Sequence, residues 1–204
     1  MDTTFSSYRV RGRAVLLLLT IMIAGSLACA GSDGDSPDAG IDAGMDSGVL
    51  ESFIFITNTV QNANFGGIAG ADRLCATQAA EANLGGEFKA WLSTLSSSVA
   101  ARLTHSDGPY VLVDGTTIAN DWNDLVDGSI VAPINLDANG ELRGGDVWTG
   151  TLANGASYPD DCMGFTSDTE GISLCGSSAS TSETWTERIT PSCATGLRLY
   201  CIEQ

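Results

Sequence analysis

Cysteine has the clearest chemical meaning in this chain, because oxidised cysteines fasten distant segments to each other. One of the six cysteines, Cys29, follows a run of small residues near the N-terminus. The other five lie further along the chain, at Cys75, Cys162, Cys175, Cys193 and Cys201. An exported chain oxidises the thiols that can meet, and four cysteines can pair in three ways. Spacing alone leaves that pairing open.

Few other residues have types that support catalysis or metal binding. His105 is the single histidine; a zinc site would need further ligands, and oxidised cysteines cannot serve. Serines and aspartates abound, but no G-x-S-x-G motif accompanies them, and we interpret His105 as capping a turn in "LTHSDGPY". The "WND" tripeptide, 122–124, carries oxygen ligands of the kind that Ca²⁺ prefers, yet it falls on a predicted helix and is interpreted as coincidence. We expect no enzyme, no catalytic residue, no metal and no cofactor; a hydrolase is the less favoured alternative.

Three residues are candidates for a ligand surface. Trp185 in "SETWTE" lies among polar residues, and a solvent-facing tryptophan can stack on a sugar or anchor a partner protein. The adjacent acids Asp160 and Asp161 could both reach one cation if they lie on a turn rather than on a strand. Two of the other three tryptophans, Trp91 and Trp148, are predicted to fill the core.

The N-terminal segment is typical of export. Arg9, Arg11 and Arg13 precede the apolar run "AVLLLLTIMI", and the small residues "AGSLACA" follow. This pattern predicts a signal peptide over residues 1–28 and acylation of Cys29 in a lipobox-like site. The alternatives are ordinary secretion, with cleavage after "SLA" or after "ACA", and an uncleaved membrane anchor. Residues 29–50 are predicted to be the anchor cysteine with a flexible stalk rich in Asp, Gly and Ala, and residues 51–204 the folded domain.

The charge of the mature chain excludes several classes of partner. Removal of residues 1–28 leaves six basic and 24 acidic residues, a formal charge of −18. Such a surface repels nucleic acid, heparin-like polyanions and anionic lipid. Membrane contact is therefore expected through the lipid anchor only. We expect a cell-envelope location, as an outer-membrane or cell-surface lipoprotein, and a secreted protein otherwise.

Periodicity in the remaining sequence predicts an α+β domain with long loops. "SFIFIT" alternates like a strand, and residues 65–86 carry an apolar helical stripe of Ala71, Leu74, Cys75 and Ala79 bracketed by glycines. "NDWNDLVDG" predicts a short second helix that starts at a capping Asn120 or Asp121. Short strands are predicted in "EFKAWLS", "YVLV", "GDVWTG", "SETWT" and "GLRLYCIE".

Four stretches together resemble a known family: "GGEFKAWLS", "VWTG", "DCMGFTS" and "SCATGLRLYCIEQ". The chain is similar over residues 52–204 to a bacterial family of unknown function related to the endostatin domain of collagens, which has a C-type-lectin-like fold. The resemblance implies nested disulfides, Cys75 with Cys201 and Cys162 with Cys193. Cys175 departs from that pattern, and is either free and buried or the partner of Cys193 in place of Cys162.

The resemblance and the composition together predict a binding domain rather than a catalyst. The zinc-binding histidines and the heparin-binding arginine surface of endostatin have no counterpart here. We expect a non-enzymatic surface domain for an unidentified extracellular glycan or protein. A structural envelope protein without a discrete ligand is the alternative.

Overall fold

The computed structural model describes residues 50–204. The signal peptide of residues 1–28, Cys29 and nearly all of the stalk lie outside the described residues, so these remain predictions. Within the described part, no helix combines the length and the apolar character that crossing a bilayer requires.

The described residues form a mixed domain of short strands and helices, which confirms the predicted α+β class. The strands are β1 (Ser52–Ile56), β2 (Phe88–Ala90), β3 (Tyr110–Val111), β4 (Thr117–Ala119), β5 (Asp146–Trp148), β6 (Cys175–Ser177) and β7 (Arg198–Glu203). The right-handed helices are α1 (Ile68–Glu81), α2 (Val99–Arg102) and α3 (Trp122–Leu125). A left-handed turn at Cys162–Phe165 and a 3-10 turn at Glu183–Trp185 complete the elements.

All seven strands belong to one sheet, in which β7 is central. The strands follow the order β4-β3-β1-β7-β5-β6, and β2 pairs with β7 beside that path. β1 runs antiparallel to β7, with Ile54 opposite Ile202 and Phe55 opposite Cys201. β2 and β5 share the other edge of β7. The first and last strands of the domain are therefore hydrogen-bonded neighbours.

Side chains of β1 and β7 supply two cores, one on each face of the sheet. Ile54 and Tyr200 belong to one core together with Trp91 and Trp185. Phe55 belongs to the other core, which includes the buried face of α1. Successive residues of a strand point to opposite faces, so a nearly continuous apolar strand is expected where both faces are covered.

Helix α1 carries the predicted apolar stripe. It spans Ile68–Glu81, so it is shorter than the predicted range of residues 65–86. Ala71, Cys75 and Ala79 are buried. The helix closes at Asn83, whose φ of 59° is left-handed; the N–H of Asn83 bonds to the carbonyl of Ala80, and the following N–H bonds to that of Ala79. These two hydrogen bonds satisfy carbonyls that a helix end leaves without intrahelical partners.

The structure contains both disulfides that the resemblance implies. Cys75 on α1 is bonded to Cys201 on β7, and Cys162 is bonded to Cys193. Cys175 is the free thiol of the described residues and is buried in β6. The first of the two alternatives for Cys175, a free buried residue, is therefore the one observed.

Candidate functional site

Trp185 lies in the core and not on the surface, so its predicted ligand role is wrong. Its side chain is fully buried, with ring centroids 5.0 Å from Trp91 and 5.7 Å from Tyr200. "SETWT" forms a 3-10 turn instead of the predicted strand. The turn exposes Ser182 and Glu183 to solvent and directs the indole inward. The polar neighbours of Trp185 in the sequence therefore indicate that the turn is on the surface, but they do not indicate where the tryptophan side chain lies.

Asp160 and Asp161 lie in the lining of an open cleft of about 350 Å³. We call it the loop cleft and define it by its lining: Leu95, Pro159, Asp160, Asp161, Cys162, Met163, Glu170, Gly171 and Ile172. The volume falls within the range of about 300–1,000 Å³ that is usual for ligand pockets, towards its lower end. Two of the three predicted surface residues are therefore close together.

Apolar side chains make up much of the exposed lining. Met163 is 68% exposed, Leu95 65% and Ile172 39%. Pro159 is also exposed. Scattered single apolar residues on a surface are normal, but several around one concavity indicate a contact surface.

The acids of the cleft fall into two kinds. Asp161 is committed to the backbone: Oδ1 accepts from Gly164 N at 2.8 Å and Oδ2 accepts from Leu95 N at 3.0 Å. Asp160 and Glu170 are exposed, and within residues 50–204 their carboxylates make no ion pair or hydrogen bond to another residue. The lining contains no basic side chain. The cleft therefore carries negative charge that the described protein leaves uncompensated.

A rare backbone conformation places Met163 at the cleft. Four consecutive residues have positive φ: Cys162 at 52°, Met163 at 59°, Gly164 at 70° and Phe165 at 59°. Three of the four carry a Cβ, and the left-handed region costs such residues about 1–2 kcal/mol each. Strained backbone of this kind is retained where surrounding structure enforces it, and it clusters at functional sites.

Both ends of the left-handed turn are anchored in the protein. Phe165 is fully buried, and its carbonyl accepts hydrogen bonds from Phe65 N and Gly67 N, which precede α1. Cys162 is held by its disulfide to Cys193. With both ends fixed, the intervening Met163 is displayed to solvent. These two anchors supply the tertiary contacts that such a turn requires.

Gly171 contacts the inner disulfide, and its left-handed backbone favours glycine. Its φ is +90°, and a Cβ there would lie 3.5 Å from Cys193 Sγ. Its carbonyl accepts from Cys193 N at 3.2 Å. The residues on either side of Gly171, Glu170 and Ile172, contribute a carboxylate and an apolar side chain to the same lining.

A tight turn fixes Leu95 on the cleft. Thr94 and Ser97 exchange backbone hydrogen bonds around it, and the Ser157 hydroxyl donates to the carbonyl of Thr94 at 2.7 Å. The buried hydroxyl of Ser93 lies 2.8 Å from that of Thr151, which donates its own proton to the carbonyl of Thr149. Leu95 is therefore exposed to solvent, while the turn that carries it is held in place by hydrogen bonds.

The remaining sequence candidates do not lie in the lining of the loop cleft. The "WND" tripeptide is on α3 as predicted, and Asp124 accepts hydrogen bonds from the backbone and side-chain nitrogens of Asn120. Asp121 caps α3 by accepting from Asp124 N at 2.9 Å. His105 stacks on Trp122 with ring centroids 3.8 Å apart, and its Nε2 donates to the carbonyl of Ala100 at 2.9 Å.

Across residues 50–204, no three side chains of His, Cys, Asp or Glu converge as a metal site would require. Asp146 is paired with Arg188 at 2.7 Å, and Asp168 accepts a hydrogen bond from Asn62. The expectation that no metal or cofactor is bound stays a prediction.

Burial determines the properties of the free thiol. Burial, reinforced by the charge of Asp146, raises the pKa of Cys175 to about 11 from 9.0. At neutral pH it is therefore a protonated, unreactive thiol, because the thiolate is the nucleophile.

No family model matches this chain, and a search of curated proteins finds no match either.

The sequence pattern does not identify most residues of the cleft lining. Leu95, Pro159, Met163, Glu170 and Ile172 come from three separate loop segments that only the fold brings together. One local signal was present: Gly164 follows Met163 in "DDCMGF", three residues after Asp161. A glycine there is compatible with a left-handed turn, but it does not indicate that its neighbours share that conformation.

Proposed function

We propose that this chain displays a non-enzymatic ligand-binding domain outside the cell, with the loop cleft as its binding site. The observation that carries the proposal is the display of Met163 on a strained left-handed turn beside Leu95 and Ile172. The left-handed backbone at Met163 costs free energy, and the exposed apolar side chains do not return it as stability of the fold. Contact with a ligand supplies a reason for the arrangement.

The fold proposed for this domain is C-type-lectin-like and related to endostatin, as the sequence resemblance implies. Three features support it: an outer bridge from α1 to the last strand, an inner bridge between loops, and adjacent first and last strands. In such an arrangement the sheet and α1 form the base, and the loops between them are available for binding.

The composition of the lining supports binding rather than catalysis. The loop cleft contains no serine, threonine, histidine or lysine, and its one cysteine is in a disulfide. Asp161 uses both carboxylate oxygens to accept backbone N–H groups, as a structural carboxylate does. The cleft also supports this proposal over an envelope protein without a ligand, for which a flat loop face would be expected.

Export and anchoring are part of the same proposal. Two disulfides indicate an oxidising compartment, and the predicted lipid on Cys29 would hold the stalk and domain at the cell envelope. Cys29→Ser should release the protein into the medium or leave it unprocessed, while the wild type fractionates with membranes. Equal processing and solubility of both forms would establish ordinary secretion instead.

A binding screen with matched variants tests the proposed function. The full chain is applied to a glycan array and to an array of extracellular proteins, alongside Met163→Ser and Ile172→Ser. Leu142→Ser is the control, because Leu142 is 74% exposed and does not line the cleft. Signals lost in both cleft variants and kept in the control support the proposal. Signals that none of the three substitutions changes contradict it.

A further inference from the structure

We infer that the loop cleft binds a basic, aliphatic peptide segment of a partner protein. The inference rests on the proposed function and narrows its ligand from a glycan or protein to one chemical class. Three properties of the lining lead to it: its uncompensated charge, its aliphatic surface and its size.

The charge of the cleft selects for cations. Asp160 and Glu170 have no ion-pair partner in the described chain, and the lining adds the carboxylate of Asp161. Most basic residues elsewhere in the described domain are already paired with acids, as in Arg102 with Asp72 and Arg188 with Asp146. A lysine or arginine of a partner would therefore find open carboxylates, and like-charged ligands would be repelled.

The apolar part of the lining is aliphatic, which favours a peptide over a sugar. Leu95, Met163 and Ile172 are flexible or branched side chains, and no lining residue is aromatic. Sugar rings are typically bound by stacking on flat aromatic faces, whereas methionine adapts its shape to varied apolar side chains. Trp185, the aromatic residue predicted for stacking, is fully buried.

The size of the cleft limits how much of a partner it can hold. About 350 Å³ is at the small end of ligand pockets. It suits two or three side chains of an extended segment better than the packed face of a folded domain. A lysine or arginine next to a leucine or isoleucine satisfies both the carboxylates and the aliphatic wall, since the long basic side chain has an apolar stem.

The acidic charge of the whole domain would assist the encounter. The mature chain carries −18, so a basic segment is attracted from a distance and salt screens that attraction. Affinity for such a segment should fall as ionic strength rises. Binding governed by the aliphatic contacts alone would not change in this way.

Three labelled, end-blocked peptides test the inference against the full chain by fluorescence anisotropy. The first has two lysines alternating with two leucines in a glycine–serine frame. The second replaces the lysines with glutamates, and the third replaces the leucines with serines. We expect saturable binding of the first at low salt and binding at least about tenfold weaker for the other two. Similar affinities for the first and second peptides, or no binding of the first, would overturn the inference.

Matched variants locate that binding. Asp160→Asn with Glu170→Gln should weaken the lysine–leucine peptide about fivefold at low salt, a size expected for two exposed ion pairs. The control is Asp107→Asn with Glu81→Gln, two exposed acids outside the cleft lining, and it should leave the affinity unchanged. Equal weakening by both double variants would show a general charge effect and overturn the inference.

The two proposals fail in different ways. If a neutral glycan binds and Met163→Ser abolishes that binding, the peptide inference is wrong and the proposed binding function stands. If no glycan, protein or peptide signal depends on the cleft variants, both are wrong.

Discussion

The carboxylate of Asp161 accepts a hydrogen bond from the backbone N–H of Leu95 at 3.0 Å, across 66 positions of sequence. The other oxygen of the same group accepts from Gly164 N at 2.8 Å, within the left-handed turn. One side chain thus fixes two separate segments of the cleft lining relative to each other.

Asp161→Ala should lower the melting temperature by about 2–8 °C. The substitution removes two charge-assisted hydrogen bonds to backbone N–H groups, a loss of about 1–2 kcal/mol, and a domain of this size loses about 2–4 °C per kcal/mol. Asp160→Ala is the control, because the exposed Asp160 side chain has no described partner and its loss should leave the melting temperature nearly unchanged. Equal shifts for the two variants in thermal unfolding would contradict the assigned role.

Met163→Gly should stabilise the protein and weaken ligand binding. Glycine removes the left-handed penalty of about 1–2 kcal/mol, partly offset by the entropy of the unfolded chain, so we expect a net gain of about 0.5–1 kcal/mol in denaturant unfolding. Met163→Leu is the matched variant that keeps an apolar side chain and should change neither property much. A glycine variant less stable than wild type would show that the turn is not strained at Met163.

The sequence does not predict the hydrogen bonds of Asp161 or the left-handed turn at Met163, and the reason is physical. Helix α1 was predictable because Ala71 and Cys75 lie at helical spacing on its buried face. Strands β1 and β7 were predictable from short runs of strand-forming residues, but both faces of β1 are buried, so the alternation expected for "SFIFIT" is not observed. The left-handed turn depends on distant anchors instead. Phe165 is buried against Trp148, with ring centroids 6.3 Å apart, and Cys162 is bonded to Cys193.

The burial of Trp185 also could not be predicted from its neighbours in the sequence. Its polar neighbours favoured an exposed position, yet a three-residue 3-10 turn buries the indole against Trp91. Gly176 permits this, because a Cβ there would lie 1.9 Å from the carbonyl oxygen of Trp185. The disulfide pairing also came from the resemblance, since spacing alone left three arrangements open.

Removing the outer disulfide should destabilise the domain more than removing the inner one. The bridges span 126 and 31 positions, and the chain-entropy model assigns about 4–5 kcal/mol to the longer loop and about 3–4 kcal/mol to the shorter. The comparison is Cys75→Ala with Cys201→Ala against Cys162→Ala with Cys193→Ala, in denaturant unfolding. A larger loss for the inner pair would mean that the left-handed turn, rather than loop entropy, dominates the effect.

Alkaline pH should destabilise the protein through Cys175. Burial raises the pKa of the folded thiol from 9.0 to about 11, so the unfolded state loses its proton first. Stability contributed by this group is complete below pH 9 and is lost as the pH rises towards 11. Cys175→Ala should flatten that part of the stability profile. Parallel profiles for wild type and variant between these pH values would contradict the assignment.

The central claim is that ligand contacts Met163 in the loop cleft, and photo-crosslinking tests it most directly. The chain has four methionines, at Met1, Met22, Met45 and Met163, so Met163 is the single methionine of the described domain. The full chain is labelled uniformly with photo-methionine, mixed with the lysine–leucine peptide or with a ligand from the arrays, and irradiated. We predict that mass spectrometry finds the ligand adduct at Met163 and that excess unlabelled ligand suppresses it. A bound ligand that forms adducts at Met45 and none at Met163 would contradict the account.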